Sequence, residues 1–228
     1  MAPKGWRLNV VNANPNNSNL NSITEISDFI LVFGHSVPDH IIRTGKKIKL
    51  IQLCSAGFDG VNIELAQKLG IPVATNGGAN SVPVAEFTIT LMLGTIRHLI
   101  VAHKNTINGN WMTPDLNGYN SYELYEKTVG IIGAGRIGTN VIRILSGFRA
   151  KTLYYDHIKN KEAEMHGAKK TDLATLLSKS DIVSVHIPLT KKTKNLIGTK
   201  EFSIMKPKCI LINTSRGEVV DEKALVDA

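Results

Sequence analysis

Short apolar runs rich in β-branched residues alternate with amphipathic stretches along this chain, the pattern of parallel strands joined by helices. In the first part, residues 7–11, 29–33, 48–53 and 71–74 are predicted as strands, with helices over 38–44 and 61–69, the second stopped by Gly70. Six asparagines between Asn12 and Asn21 predict a loop. Residues 76–83 are a Gly/Asn/Ser-rich connection. Beyond it, 84–107 reads as one long helix in which Phe87, Leu91, Leu93, Ile96 and Leu99 leave little polar face, so it should be buried as a bridge between two domains. After an irregular stretch over 109–126, strands are expected at 129–132, 151–155, 181–185 and 209–212, with a short one near Ala168. Helices are expected after Gly135 and over 159–166, 173–177, 200–205 and 221–228.

The segment around the first of these later strands organises the rest. Val129, Ile131 and Ile132 form an unalternating apolar run, which suits a strand covered on both faces, and Gly133, Gly135 and Gly138 follow at once. In the G-x-G-x-x-G reading Gly133 lets the chain turn, Gly135 lets the backbone approach a pyrophosphate, and Gly138 lets the helix lie close to the strand. The helix then aims its free N–H groups and positive dipole end at phosphate. Ile137, Val141, Ile144, Leu145 and Phe148 recur at helical spacing, with Arg136, Asn140 and Arg143 elsewhere. The next strand ends at Asp156, about the ~20 positions past the glycines expected of the acid that binds an adenosine ribose. A carboxylate there repels a 2′-phosphate, which favours NAD over NADP. A ligand-free glycine turn has the same letters; strand, helix, second strand and acid in register are what point to a dinucleotide.

Composition adds limits. Hydrophobic content of 43% with 20% charged residues is that of a soluble globular protein. The 27 basic against 19 acidic residues give a net charge of +8, but the excess is spread along the chain. Its densest cluster, Lys191, Lys192 and Lys194, has no interleaved aromatic, so a solvated surface is expected rather than nucleic-acid binding. Cys54 and Cys209 have no metal-ligand spacing and are expected as reduced core thiols of a cytoplasmic protein. The start of the sequence carries no apolar stretch of signal-peptide type, and the apolar run over 87–101, broken by Arg97 and His98, is too short to span a bilayer. Trp111, Tyr119, Tyr122 and Tyr125 in the irregular stretch fit either an intradomain contact or a subunit interface, with a two-fold homodimer preferred.

In an open α/β sheet ligands gather at the carboxyl ends of the strands. That rule puts the Gly133 turn, Asp156, residues 186–190 and residues 214–217 around one crevice, with the small-residue loop at Ser55, Ala56 and Gly57 facing it from the other domain. Arg216 has the planar fork that suits a carboxylate or the carbonyl beside one; an ordinary surface arginine is the competing reading. Ser55 to Gly57 offer either an anion nest of backbone N–H groups or a plain tight turn.

Five blocks together resemble the D-isomer-specific 2-hydroxyacid dehydrogenase family: Ser-Ala-Gly-Phe-Asp at 55–59, Val-Ala-Glu at 84–86, Gly-Ala-Gly-Arg-Ile-Gly at 133–138, Asp-Ile-Val-Ser-Val-His-Ile-Pro-Leu-Thr at 181–190 and Ile-Asn-Thr-Ser-Arg-Gly at 212–217. The resemblance implies an α/β protein with a flavodoxin-like substrate domain over 1–83, an interdomain helix over 84–108, and an NAD-binding domain over 109–228 whose Rossmann-type doubly wound parallel sheet is incomplete. The asparagine-rich stretch replaces part of the first strand-helix unit. The implied activity moves hydride between nicotinamide and C2 of a small 2-hydroxy or 2-oxo acid. Arg216 would orient the substrate, Ser55, Ala56 and Gly57 would bind its carboxylate with Asn80 nearby, and Gly133, Gly135, Arg136, Ile137, Gly138, Asp156, His186, Pro188, Thr193, Thr214, Ser215 and Arg216 would lie along NAD. His186 is tempting as general acid, but the family's donor is a histidine paired with a glutamate later in the chain than any residue here, so His186 is expected to line the cofactor. The 228 residues alone are therefore expected to bind NAD weakly and to lack roughly a hundred- to ten-thousand-fold of proton-transfer catalysis. The stop inside a helix favours a partial gene or a clipped product. A non-catalytic NAD sensor on the same scaffold is the alternative.

Overall fold

The computed structural model describes residues 3–11, 19–34, 36–110 and 121–228. The chain divides into two compact units, Met1–Asn80 and Ser81–Ala228. In the first, β1 (Phe29–Val32), β2 (Leu50–Leu53) and β3 (Val73–Ala74) form a parallel sheet in that order. Parallel neighbours need crossovers, and α2 (Asp39–Thr44) and α3 (Ile63–Lys68) supply them. A helix α1 (Asn19–Glu25) packs on α2. Ile41, Ile42, Ile51, Leu53, Leu65 and Ala66 are the core of this unit. Its sheet is covered unevenly: Phe29 and Leu31 of β1 are exposed while Ile30 and Val32 pack inward.

Two expectations fail here. Residues 7–11 join no sheet, and Leu8 and Val10 lie exposed. Strand propensity needs a ladder partner to become a strand, and Trp6 instead stacks on Phe29 with ring centroids 5.0 Å apart. The asparagine-rich loop ends earlier than its composition indicates, because α1 begins at Asn19; residues 12–18 lie outside the described set. Leu20 and Thr24, one turn apart, are buried, and the Thr24 hydroxyl donates to the Leu20 carbonyl at 2.7 Å. A two-residue buried stripe sufficed to make a helix within polar composition.

In the second unit β4 (Thr128–Ile132), β5 (Lys151–Tyr155), β6 (Lys169–Lys170), β7 (Ile182–Val185) and β8 (Ile210–Asn213) form a parallel sheet of order β6-β5-β4-β7-β8. The chain starts at the centre, winds to one edge, then returns and winds to the other. The reversal falls between β4 and β7. Val129, Ile131 and Ile132 and all of β7 are buried, as an unalternating apolar run requires. On one face lie α4 (Ser81–Ile96) and α6 (Arg136–Gly147), whose Met92, Val141, Ile142 and Leu145 share a core with Val129 and Ile131. On the other, Leu176 and Leu177 of α8 (Leu173–Lys179) pack with Ile132, Val183 and Val185. Between β5 and β6 runs α7 (Lys161–Met165), and α9 (Thr199–Ile204) precedes β8. A 3₁₀ turn, Gly217–Val219, and α10 (Glu222–Asp227) follow.

The single helix expected over 84–107 is instead two, α4 and α5 (Leu99–Ile107), bent by 65° about His98 at φ 49°. Ala85, Ile89, Met92 and Ile96 bury one stripe of α4, whereas Phe87 and Leu99 are more than half exposed and α5 buries no residue. The polar pair Arg97 and His98 interrupts the stripe, and Arg97 reaches out to Glu123 at 3.5 Å. Apolar composition had concealed burial on one side only. No single helix among the described residues is long and apolar enough to cross a membrane. Of the aromatic stretch, Trp111 and Tyr119 fall outside the described residues; Tyr122 lies under Lys127, whose Nζ stands 4.8 Å from the ring centroid, and Tyr125 is exposed. Both cysteines are free thiols, half-buried rather than within the core as expected.

Candidate functional site

β4 ends at Ile132 and the chain turns at Gly133, whose φ of +95° an L side chain resists. A Cβ at Gly138 would stand 2.0 Å from the Gly133 carbonyl oxygen, so the first turn of α6 rests directly on the strand exit. Gly135 differs: a Cβ there meets nothing within 4 Å, and the residue is exposed. The fold itself therefore demands glycine at 133 and 138 but has room for a side chain at 135. Gly135 is also the N-cap of α6, and no side chain caps it. Thr139 N–H makes the first intrahelical bond, to the Gly135 carbonyl at 2.9 Å, so the N–H groups of Arg136, Ile137 and Gly138 have no partner within the helix.

Asp156, at the end of β5, closes onto this turn. One carboxylate oxygen accepts the Ala134 N–H at 2.9 Å and the other the Ile158 N–H at 3.2 Å. Each oxygen keeps a lone pair for a further donor. Asn160, which caps α7 by accepting from Ala163 N–H at 3.0 Å, reaches the same turn: its Nδ2 donates to the Ala134 carbonyl at 2.6 Å and to Thr139 Oγ1 at 2.9 Å.

Beyond β7, both ring nitrogens of His186 meet hydroxyls, Nε2 with Ser184 at 2.9 Å and Nδ1 with Thr214 at 3.4 Å. Thr214 in turn meets Thr88 of α4 at 3.0 Å, and Thr88 donates to the Val84 carbonyl at 2.8 Å. With that last hydrogen committed, donation runs from Ser184 to Nε2, from Nδ1–H to Thr214, and from Thr214 to Thr88, which is the neutral Nδ1–H tautomer. Burial pushes the His186 pKa down to about 4, so the ring is uncharged at neutral pH.

At the end of β8, Asn213 Oδ1 accepts both the backbone N–H of Ser215 at 3.0 Å and its hydroxyl at 2.8 Å, and Nδ2 donates to the Arg216 carbonyl at 2.9 Å. This side-chain-made turn fixes the path of Thr214, Ser215 and Arg216. Arg216 is half-buried, and its Nη1 donates to the Ser215 carbonyl at 3.0 Å. After β7, Pro188 is exposed, and the Thr193 hydroxyl donates to its carbonyl at 2.7 Å while accepting Thr190 N–H at 2.8 Å. Thr193 is thus a brace of its own loop.

Because every strand of this sheet is parallel, the glycine turn, Arg136, Ile137, Asp156, His186, Pro188, Thr193, Thr214, Ser215 and Arg216 all lie at its carboxyl edge. Ser55, Ala56, Gly57 and Asn80 belong to the first unit, the three loop residues following β2 and Asn80 in an exposed turn. The Ser55 hydroxyl donates to the Gly57 carbonyl at 2.7 Å, and the Ser55 carbonyl accepts Asn76 N–H at 3.0 Å. Four residues of the second unit's edge were not singled out from sequence: Thr88, Ser184, Asn160 and Asn213. Asn160 precedes α7 and Asn213 ends β8, positions that cap and turn residues favour. Thr88 had no signal, since its partner stands 126 positions away.

A parallel sheet wound outward in both directions from one strand, with an uncapped helix starting at a glycine turn beside the reversal, defines a dinucleotide-binding α/β domain. Residues 89–228 match the model for the D-isomer specific 2-hydroxyacid dehydrogenase, NAD binding domain; the chain belongs to that family, with NAD as its cofactor. It is 36% identical over 214 residues to a glyoxylate reductase of Thermococcus litoralis, covering 92% of this chain and 65% of the relative. A D-3-phosphoglycerate dehydrogenase of Methanocaldococcus jannaschii is 34% identical over 211 residues, 92% of this chain and 40% of its own. The crystal structure of D-lactate dehydrogenase from Aquifex aeolicus, complexed with NAD and lactic acid, superposes with a TM-score of 0.85 at 32% identity, over 91% of this chain and 62% of that one. The chain thus spans less than two thirds of the length of these relatives.

Proposed function

We propose that this chain serves an NAD-dependent oxidation or reduction at C2 of a small D-2-hydroxy or 2-oxo acid, the class of compound named in glyoxylate reductase and D-lactate dehydrogenase. The observation that carries the reading is the open space at Gly135 above an uncapped helix start, room the protein does not fill and a diphosphate can. NAD, when bound, supplies or accepts the hydride at nicotinamide C4. The first-turn N–H groups of α6 hold its phosphates, and Asp156 offers its remaining lone pairs to the ribose hydroxyls. Arg136, Ile137, Pro188, Thr193, Thr214 and Ser215 line the rest. Arg216 aligns the substrate's carboxylate and polarises the neighbouring carbonyl.

His186 holds the ring of hydroxyls in place and donates no proton to substrate. Its Nδ1–H is committed to Thr214 and its pKa of about 4 leaves no imidazolium at neutral pH. The alkoxide formed on reduction therefore takes its proton from a group other than His186. The same neutrality favours a second reading, a sensor that binds NAD without turnover.

NADH titration followed by NADH oxidation against a panel of 2-oxo acids tests both. The measurements use this chain and a fusion to the part of the Thermococcus relative that it does not match. Binding by the chain with turnover in the fusion, lost on Arg216→Ala, supports the enzyme. Binding without turnover in both selects the sensor, and no binding in either removes both.

A further inference from the structure

We propose that Asn160 is a positioning residue that sets the direction of the Gly135 N–H, and so the affinity for a diphosphate. The inference rests on the NAD reading above. Capping α7 needs only an acceptor, and Oδ1 provides it at 3.0 Å from Ala163 N. Serine or aspartate would do as well. What only asparagine adds is a pair of donors, and both are used, on the Ala134 carbonyl at 2.6 Å and Thr139 Oγ1 at 2.9 Å. Thr139 Oγ1 itself donates to the same carbonyl at 3.1 Å. The amide orientation follows from the partners: an N–H faces Oδ1 and a carbonyl faces Nδ2.

Peptide planarity turns this into a statement about the site. In a trans peptide the carbonyl of one residue and the N–H of the next point in opposite directions. With the Ala134 carbonyl drawn inward to Asn160 and Thr139, the Gly135 N–H points outward, at the exposed position where a Cβ would meet nothing. The neighbouring peptide is pinned as well, since Ala134 N–H donates to Asp156 at 2.9 Å. Both polar groups of Ala134 are therefore held by the stretch that leaves β5, its N–H by Asp156 and its carbonyl by Asn160. The backbone of Asn160 is itself anchored, its N–H donating to Tyr154 Oη at 3.0 Å.

The test compares the full 228-residue chain with Asn160→Ser and Asn160→Asp, both of which keep an N-cap acceptor. Ligands are NADH, ADP-ribose and adenosine, the last without phosphate. Expected is a roughly five- to tenfold weaker binding of NADH and ADP-ribose in both variants, with adenosine binding close to wild type and a thermal midpoint only modestly lower. The Gly135 amide should also shift in a nitrogen-proton correlation spectrum. Should Asn160→Asp fail to fold, Asn160→Ser decides alone. Equal binding of ADP-ribose by wild type and Asn160→Ser overturns the inference while leaving NAD binding intact. So does a proportional loss of adenosine and ADP-ribose, the mark of a merely structural role. A wild-type chain that binds neither NADH nor ADP-ribose overturns both readings.

Discussion

Two loops in this molecule leave the carboxyl end of a parallel strand on small residues, one after β2 and one after β4, yet they are built differently. The loop after β2 leads to α3, a six-residue helix whose first turn is satisfied by Asn62 accepting from Leu65 N–H at 3.0 Å. The loop after β4 runs straight into α6, twelve residues long, with no side-chain cap. Its turn is clamped by Asp156 and Asn160, whereas the Ser55 loop bonds mainly to itself and to Asn76. The strands differ too: β2 alternates buried and half-buried positions, while four of the five residues of β4 are buried. At the strand end after β4 the next helix begins uncapped and the backbone before it is held, the arrangement that suits a diphosphate.

The contrast can be broken most severely at Gly138. Alanine there puts a carbon 2.0 Å from a backbone oxygen, so Gly138→Ala should cost on the order of 3 kcal/mol or unfold the second unit, read from urea unfolding. Next comes acid. His186 titrates near 6.5 when unfolded and about 4 when folded, so the unfolded chain binds the extra proton between those values. Stability should fall as pH drops from 6.5 to 4 and level off below, by on the order of 3 kcal/mol from this group. Unfolding at pH 7 and pH 4.5 should show that His186→Gln removes this part of the slope.

At Gly135 the expected result divides binding from folding. Gly135→Ala should change stability by less than about 1 kcal/mol, because the position is open, yet weaken NADH binding at least about tenfold. Unchanged NADH affinity would remove the distinction between the two loops. The smallest effect belongs to the first unit: Lys49 and Asp28 pair at 2.9 Å, but their side chains are 69% and 54% exposed. Lys49→Ala should alter the unfolding midpoint by no more than about 0.5 kcal/mol.

The centre of the second unit could be read directly from sequence because its signals are local. The apolar run of β4 and the three glycines carry their meaning within a few positions, Asp156 stands 18 positions past Gly138 (156 − 138), and β5 occupies residues 151–155 as expected. Where local pattern needed a distant partner, reading failed. Residues 7–11 have strand composition but no ladder, and the helix over 84–107 bends at His98, beyond which α5 buries no residue. At the site, the glycine spacing is local, but the tautomer of His186 is not legible in the same way, since it depends on Thr88 and Thr214 brought together from 126 positions apart. The clamp on Ala134 is hidden in the same way: Asn160 looks like an ordinary cap until its other two bonds are seen.

Cys209 carries a practical consequence. Burial, with Asp181 adding to it, pushes its thiol up to about 11, so about one molecule in ten thousand holds the reactive thiolate at neutral pH. A maleimide or iodoacetamide dye should therefore take that sulfur far more slowly in the folded chain than after unfolding. Its rate of labelling at Cys209 then reports the opening of the second unit, with no cysteine engineered in or out.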